Sequence, residues 1–321
     1  MKHKPKITII LLSMFLLTQF IGLYVVNYYS PVRIVDGEIQ NVSAPALPFG
    51  METPEVETET EYYGIFLWIV IAFIIAIFLL FFFTKFEWQK IIKLWFFVVV
   101  IIALGISVSI FTTKIGIEKN LFGIPVLATA IALPFAFFKI FKRNFFVHNI
   151  TELFIYPGIA AVFVPILNIY TIILLLILIS IYDAWAVWKS GIMQKMAKYQ
   201  MNKLNIFAGF FIPHVDKRTK EKIKLMREKL KQKKITKKEI EKKKIKINVA
   251  MLGGGDIIFP IIFSGVMLKT FGFIPALFVI AGATLGLGYL LLSSEKKKFY
   301  PAMPFITAGI FLGMFLAWII L

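Results

Sequence analysis

The sequence predicts an all-α polytopic membrane protein with nine transmembrane helices, and three observations support this prediction. The chain of 321 residues is 59% hydrophobic, whereas an average soluble domain is about 45–50% apolar. Its mean hydropathy is +0.81. Nine stretches of the chain reach or approach the roughly 20 apolar residues that a helix needs to cross the hydrocarbon core of a bilayer.

The nine predicted spans differ in how continuous they are. The first follows a basic N-terminal stretch, but its apolar run exceeds the roughly 7–15 residues of a signal-peptide core, so we interpret it as a retained helix. Prolines interrupt the fourth and fifth spans, which spanning helices tolerate where neighbours satisfy the freed backbone groups. The predicted spans are Ile7–Tyr24, Tyr62–Thr84, Ile91–Phe111, Leu121–Ile140, Thr151–Leu167, Ile169–Trp188, Ile247–Leu268, Phe273–Leu292 and Tyr300–Leu321.

The distribution of basic residues supports nine spans independently. If the N-terminus is cytoplasmic and the spans alternate, 32 of the 36 lysines and arginines lie inside and four lie outside. This is the positive-inside pattern of membrane proteins. We therefore predict a multi-pass protein of the cell membrane with its N-terminus in the cytoplasm and its C-terminus outside. Its parts are a six-helix unit (1–188), a basic cytoplasmic loop (189–246) and a three-helix unit (247–321).

The loop 189–246 contains 20 basic and five acidic residues, a net charge of +15. Its second half, Asp216–Lys246, is rich in Lys and Glu with spaced Ile and Leu, which is typical of a solvated helical hairpin or a helix lying on anionic lipid. We expect the lipid bilayer, and no nucleic acid, as the partner of this charge, because the topology rule already requires it in cytoplasmic loops. The short apolar segment Leu204–Pro213 is too short to span and is predicted to lie at the membrane interface.

Only three of the 18 acidic residues fall within the predicted spans: Glu152, Asp183 and Asp256. Glu152 is at the start of the fifth span, where an interfacial carboxylate is the expected interpretation. Asp183 lies about 9 Å from the cytoplasmic edge of the sixth span, and Asp256 about 14 Å from that edge of the seventh. Because a charged residue inside a membrane is costly, two acids at similar depth on consecutive antiparallel spans suggest a pair.

A pair of carboxylates has a specific chemistry. Like charges held close together cannot both ionise, so the pair holds one proton between them. The charged carboxylate activates water as a general base, and the protonated one polarises a peptide carbonyl. This hydrolyses a peptide bond with no metal and no covalent intermediate, so we expect no cofactor.

Two other chemistries for a membrane protease lack their residues. The chain has no cysteine, which excludes thiol chemistry and thiolate metal sites. A zinc protease of the common type needs His-Glu-x-x-His, but the three histidines are scattered at His3, His148 and His214. We therefore predict no metal site.

Three local motifs occur on the spans that lie around the acid pair. They are Tyr182-Asp183 in the sixth span, Gly253-Gly254-Gly255-Asp256 in the seventh, and Pro301-Ala302-Met303-Pro304 at the start of the ninth. Together and in this order they resemble the motifs of the presenilin and signal-peptide-peptidase family of intramembrane aspartyl proteases, and the chain is similar to its microbial members. The resemblance extends over the nine-helix plan and implies a presenilin-like fold with Asp183 and Asp256 as catalytic residues.

The resemblance also implies roles for the residues around the two acids. The glycines allow close backbone approach or unwinding beside Asp256, although ordinary small-residue helix packing is the alternative. The proline motif is expected beside the catalytic pair, with Met303 where the family usually has Leu, a substitution of similar volume. Tyr182 is expected to hydrogen-bond near the site or to pack at the interface.

The predicted orientation matches the presenilin branch of that family. By resemblance, the substrates are transmembrane proteins with a single span and their N-terminus outside. The segment around Phe207–Phe211 then either covers the site or is a passive interfacial anchor.

Two alternatives remain open from the residues alone. A cation channel or proton-coupled transporter could use the buried acids as an ion site, but it would leave the motifs unexplained. A prepilin-type aspartyl peptidase also has Gly-x-Gly-Asp, usually followed by Lys, whereas Ile257 follows here. The sequence does not determine the oligomeric state.

Overall fold

The structure is a computed structural model that describes most of the residues of the chain. These are 5–30, 32–35, 38–41, 44–52, 54, 56, 58–86, 88–142, 144–191, 206–214, 248–295 and 300–320. The predicted hairpin or lipid-bound helix in Asp216–Lys246 lies outside the described residues.

The described part of the chain forms nine α-helices and three small antiparallel sheets of two strands each. Eight of the helices are long and apolar enough to cross a membrane, and the remaining one, α4, has 16 residues. The predicted all-α polytopic membrane architecture is therefore confirmed. The elements are α1 (Pro5–Tyr29), β1 (Val32–Val35), β2 (Glu38–Asn41), α2 (Glu59–Lys85), α3 (Gln89–Lys114), β3 (Asn120–Leu121), β4 (Ile124–Pro125), α4 (Val126–Phe141), α5 (Phe145–Phe163), α6 (Ile169–Trp188), β5 (Gly209–His214), β6 (Asn248–Gly253), α7 (Gly254–Phe271), α8 (Phe273–Ser293) and α9 (Met303–Ile320).

Helix α6 has the bounds that hydropathy predicted, because a local signal starts it. The side chain of Asn168 accepts a hydrogen bond from the Thr171 backbone N–H, and the Thr171 hydroxyl accepts one from the Asn168 N–H. This reciprocal capping box satisfies amides that a helix start would otherwise leave unpaired. The helix then continues without proline or glycine to Trp188.

The fourth and fifth spans differ from their predicted bounds. A tight turn with positive φ at Phe122 and Gly123 joins β3 to β4, and this hairpin occupies the predicted start of α4. Helix α5 begins at Phe145, six residues earlier than predicted, because the Asn144 side chain accepts from the backbone N–H groups of Phe146 and Val147. As a consequence, Glu152 lies well inside α5 and not at its start.

The seventh predicted span is partly wrong. Residues 248–253 form strand β6, which pairs antiparallel with β5, and helix α7 begins only at Gly254. Burial along β6 alternates, with Ala250 and Leu252 buried and Val249 and Met251 exposed, which is the two-residue period of a strand. The partner strand β5 begins within the apolar segment Leu204–Pro213 that was predicted to lie at the interface.

Helix α7 is at the centre of the bundle. It contacts α1, α5, α6, α8 and α9, and its side chains Ile257, Ile261 and Phe263 are fully buried in the largest core cluster. The bundle's outer surface is apolar, with Trp68 and Trp318 among many exposed large side chains. An exposed apolar surface of this extent is suited to lipid, where an apolar surface has no cost.

Helices α8 and α9 pack closely along a row of glycines. A Cβ atom added to Gly309 would lie 2.2 Å from the carbonyl oxygen of Gly282, and one at Gly313 would lie 2.3 Å from that of Phe278. Small residues at such positions let two helix backbones approach closely. This packing fixes α9, whose first residues lie at the candidate site.

Candidate active site

Asp183 is held by the start of the last helix. It lies near the end of α6, is 5% exposed, and its Oδ2 atom accepts a hydrogen bond of 3.0 Å from the backbone N–H of Met303. The backbone N–H of Ala302 is a second donor to this carboxylate. Amides at a helix N-terminus favour a nearby negative charge. The N-terminus of α9 therefore stabilises the charged form of the Asp183 carboxylate.

Asp256 is held within its own helix. Gly253 is the N-cap of α7, so Asp256 occupies the third helical position, and its carboxylate accepts from the Gly253 backbone N–H. This is half of a capping box, in which an acid at the third position bonds back to the N-cap amide. The strand-to-helix junction therefore fixes the position of this carboxylate.

The two aspartates and the proline motif lie at the same end of the bundle, which is the end that carries the loop 189–246. The charge of Asp183 acts on Asp256, so the carboxylates are close enough to interact electrostatically. The tertiary structure thus brings together the acids from α6 and α7 and the backbone amides that begin α9.

The proline motif has a clear structural role. Pro301 and Met303 are buried, and Met303 begins α9 with Pro304 directly after it. Proline is tolerated in the first turn of a helix because those backbone positions have no intrahelical donor to lose. The two prolines set the start of α9 so that the intervening amides face Asp183.

The three glycines before Asp256 are not equivalent. A Cβ atom at Gly254 would lie 2.7 Å from the hydroxyl oxygen of Tyr156, and one at Gly253 would lie 3.1 Å from Oδ2 of Asp256. At Gly255 the nearest atom would be a ring carbon of Phe259 at 3.8 Å, an ordinary contact. A side chain at Gly254 or Gly253 would therefore press on a neighbouring side chain, whereas one at Gly255 would not.

Tyr182 lies to one side of this arrangement. Its side chain is 37% exposed and its ring centroid is 6.4 Å from that of Trp185. Adjacent helical residues point about 100° apart, so Asp183 faces the bundle interior while Tyr182 faces outward. Of the two predicted roles, this geometry favours packing at the surface.

A group of polar residues beside the site was missed by the sequence analysis. The expectation of an interfacial carboxylate at Glu152 is wrong, since Glu152 is 1% exposed and ion-paired with Lys139. His148 and Tyr156 lie one turn before and after it on α5, and both are buried. The Tyr156 side chain interacts electrostatically with both Glu152 and Asp256. Spacing of four residues puts all three on one helix face, a signal visible only once the helix start at Asn144 is recognised.

A large cavity in the described part of the chain lies away from the two acids. Its volume is about 890 Å³, and it is bounded by the far ends of α6, α7 and α9, with Ile169, Phe271 and Trp318 among its lining residues. Phe271 is 15 residues from Asp256 along α7, a separation of about 20 Å. This apolar cavity is at the opposite end of the bundle from the two acids.

Comparisons with known proteins agree on one group. The family described as signal-peptide peptidase, presenilin aspartyl protease matches residues 39–321. A presenilin-family intramembrane aspartate protease in a C222 crystal superposes with a TM-score of 0.59, covering 98% of this chain and 99% of that chain at 16% identity. A presenilin-family intramembrane aspartate protease in a P2 crystal gives a TM-score of 0.56, covering 97% of each chain at 17% identity. No curated protein sequence matches.

Proposed function

We propose that this chain, which belongs to the signal-peptide peptidase and presenilin family of aspartyl proteases, uses Asp183 and Asp256 as its catalytic pair. The chain is an intramembrane aspartyl protease, a multi-pass membrane protein that acts within the lipid bilayer. The observation that carries the assignment of the pair is that both carboxylates lie at one end of the bundle, interact electrostatically, and are each held by backbone amides.

The surroundings of the two carboxylates suggest different roles. Asp183 accepts from two amides at the start of α9, and donors of this kind favour the charged form of a carboxylate. Asp183 is therefore the general base, and Asp256 holds the shared proton. Asp256 accepts from one amide, that of Gly253, and is less tightly held in its charged form.

The reaction then proceeds in two balanced steps. Asp183 removes a proton from water, whose oxygen attacks the peptide carbonyl carbon, while Asp256 donates its proton to the carbonyl oxygen. The resulting tetrahedral diol collapses when Asp183 gives its proton to the amide nitrogen and Asp256 recovers one from a diol hydroxyl. The C–N bond breaks, and the pair returns to its starting state with one proton.

The residues around the pair support this chemistry in separate ways. Pro301 and Pro304 set the start of α9 so that Ala302 and Met303 present their amides to Asp183. Gly253 and Gly254 allow the turn that places Asp256 at the start of α7, whereas a Cβ atom at Gly255 would make only an ordinary contact with Phe259. Tyr182 contributes to the protein's surface next to this group.

The substrates we propose are transmembrane proteins with a single span and their N-terminus outside. This proposal rests on an orientation with the N-terminus of the protease in the cytoplasm and its C-terminus outside. The distribution of basic residues supports that orientation. The site faces the cytoplasmic half of the membrane in this orientation.

The catalytic pair is tested with isosteric variants of the full chain in lipid vesicles and a labelled single-span peptide. We expect internal cleavage of the peptide by the native protein and a loss of at least about 1,000-fold in both Asp183→Asn and Asp256→Asn. Glu59→Gln, an exposed acid at the start of α2, is the matched control and keeps native activity. Cleavage that survives either aspartate change disproves the assignment. Ion flux without cleavage in the same vesicles favours the channel or transporter.

A further inference from the structure

A buried polar cluster joins helices α4 and α5 near the candidate site. Lys139 of α4 forms an ion pair with Glu152 of α5, and its Nζ atom lies 3.3 Å from Nδ1 of His148. The three residues and Asn149 are all less than 9% exposed. Charged groups inside a membrane protein are costly to bury. We therefore expect this cluster to have a function in addition to packing.

The α5 side of this cluster binds the backbone of strand β5. The Nε2 atom of His148 donates to the Gly209 carbonyl at 2.8 Å, and the Gly209 N–H donates to Oε1 of Glu152 at 3.2 Å. Asn149 accepts from the Phe211 N–H at 3.2 Å and donates to the Phe211 carbonyl at 3.0 Å. Four hydrogen bonds from α5 therefore occupy the edge of β5 that faces away from β6.

The physical need for these bonds is specific to a strand edge. In an antiparallel pair, alternate residues of each strand point their N–H and C=O groups away from the partner. Within a membrane protein, such unpaired backbone groups must find partners inside the protein. An apolar face of α5 could pack against β5 but would leave the groups of Gly209 and Phe211 without partners.

Strand β5 in turn holds the segment before Asp256. Gly209 is paired with Gly253, and the Gly254 N–H donates to the carbonyl of Ala208 at 3.1 Å. A side chain at Gly209, where φ is +135°, would place a Cβ atom 2.1 Å from the carbonyl oxygen of Leu252. The two strands are thus in close contact at the junction whose Gly253 amide holds the Asp256 carboxylate.

We infer that His148, Asn149 and Glu152 are positioning residues for Asp256, acting through the backbone of β5, with Lys139 neutralising Glu152. The inference rests on the proposed catalytic role of Asp256. It predicts that the hydrogen bonds to β5, and not the buried charges as such, support catalysis.

Two double variants of the full chain separate the hydrogen bond from the charge. Lys139→Met with Glu152→Gln removes both charges but keeps an acceptor for the Gly209 N–H. Lys139→Met with Glu152→Leu removes the same charges and also the acceptor. Thr151→Val is the matched control, because the Thr151 hydroxyl is buried on α5 but bonds only to the His148 carbonyl of its own helix in the described structure.

With the peptide cleavage assay in lipid vesicles, we expect the Gln double variant and the Thr151→Val control to stay within about threefold of native kcat. The Leu double variant should lose about 10-fold or more in kcat with KM little changed, because a displacement of about 1 Å at a reacting group can cost 100-fold. Equal losses in the two double variants, or no loss in the Leu variant, would overturn the inference.

Amide hydrogen exchange provides a measurement that does not depend on activity. In the Leu double variant, peptides covering 206–214 and 248–258 should exchange faster than in the native protein, while peptides from α8 and α9 should not change. Faster exchange in every helix would indicate that the whole protein is destabilised. That result would contradict a local role of the hydrogen bonds between α5 and β5. If the native protein cleaves nothing, the catalytic proposal fails. The exchange pattern still decides whether the hydrogen bonds from α5 hold β5 in place.

Asn149→Ala is a milder variant for the case in which the double variants do not fold. It removes the two bonds to Phe211 and leaves the ion pair intact. We expect a smaller loss in kcat, of about threefold to 10-fold, with faster exchange limited to 206–214 and 248–258. If this variant folds and has native kcat and native hydrogen exchange, the inferred role of the hydrogen bonds from α5 to β5 is contradicted.

Discussion

Asp256 lies in the first turn of α7 and Asp183 more than one turn before the end of α6, and their carboxylates are held by different means. Asp183 depends on amides of another helix, α9, which is distant in sequence. Asp256 depends on the amide of Gly253, three residues before it. The position of the Asp256 carboxylate is therefore encoded by adjacent residues. The position of the Asp183 carboxylate depends on α9 packing against α6.

The glycines before Asp256 give a prediction at the scale of single residues. Gly254→Ala should lower cleavage activity at least about 10-fold, because its Cβ atom would press on the buried Tyr156 hydroxyl and displace the start of α7. Gly255→Ala is the matched control and should stay within about twofold, since its Cβ atom would make only an ordinary contact of 3.8 Å with Phe259 and alanine favours a helix. Both are measured by peptide cleavage in lipid vesicles.

A second variant checks the cause of the Gly254 effect. Adding Tyr156→Phe to Gly254→Ala removes the hydroxyl that lies 2.7 Å from the new Cβ position. We expect part of the lost activity to return. Equal activity in Gly254→Ala and Gly255→Ala would show that the contact with Tyr156 does not limit the site.

Among the secondary-structure elements, α6 followed its hydropathy and α7 did not. The apolar run before Asp256 pairs with β5 as a strand, so the predicted helical start at Ile247 was wrong. Hydropathy could not distinguish the two, because a short apolar run suits a buried strand as well as a helix. The alternation of exposed and buried side chains in β6 has meaning only when β5 is in place.

The packing of α8 against α9 gives a prediction at the scale of elements. Gly309→Ala should destabilise the protein by about 1–3 kcal/mol, because its Cβ atom would overlap the Gly282 carbonyl. It should also lower activity, since α9 supplies the amides that hold Asp183. The checks are thermal unfolding in detergent and peptide cleavage.

Gly288→Ala is the matched control in α8. Its Cβ atom would lie 3.7 Å from the nearest atom, a methyl carbon of Leu12, which is an ordinary contact. We expect a melting temperature equal to or above that of the native protein, because alanine is the better helix former. A loss of stability equal to that of Gly309→Ala would contradict the importance of close α8–α9 approach.

For the whole molecule, the arrangement of charge relative to the membrane is the property with the widest consequence. The distribution of basic residues along the sequence predicts which half of the membrane contains the site. That in turn decides which orientation of a single-span substrate presents its chain to the acids. The family establishes an intramembrane protease, and the orientation is a prediction for experiment.

The absence of cysteine from the chain makes that experiment direct. Lys119 lies between α3 and α4, Lys189 follows α6, and both side chains are exposed. The two test variants are Lys119→Cys and Lys189→Cys. In intact cells, a membrane-impermeant maleimide should label the protein with Cys at 119 and should label Cys at 189 only after permeabilisation. The reverse pattern would invert the proposed topology and the preferred substrate orientation.

Hydropathy, charge and three short motifs predicted the class of protein and the candidate residues Asp183 and Asp256. They also predicted nine spans, and eight helices in the described residues are long and apolar enough to cross a membrane. These features are local or additive, since each span is selected by its own apolar length and each loop by its own charge. The roles of Glu152 and its neighbours on α5 depended on tertiary structure. They became visible only when β5, a segment inside a basic loop, was placed between α5 and β6, because the hydrogen bonds of a strand edge join residues that are far apart in sequence.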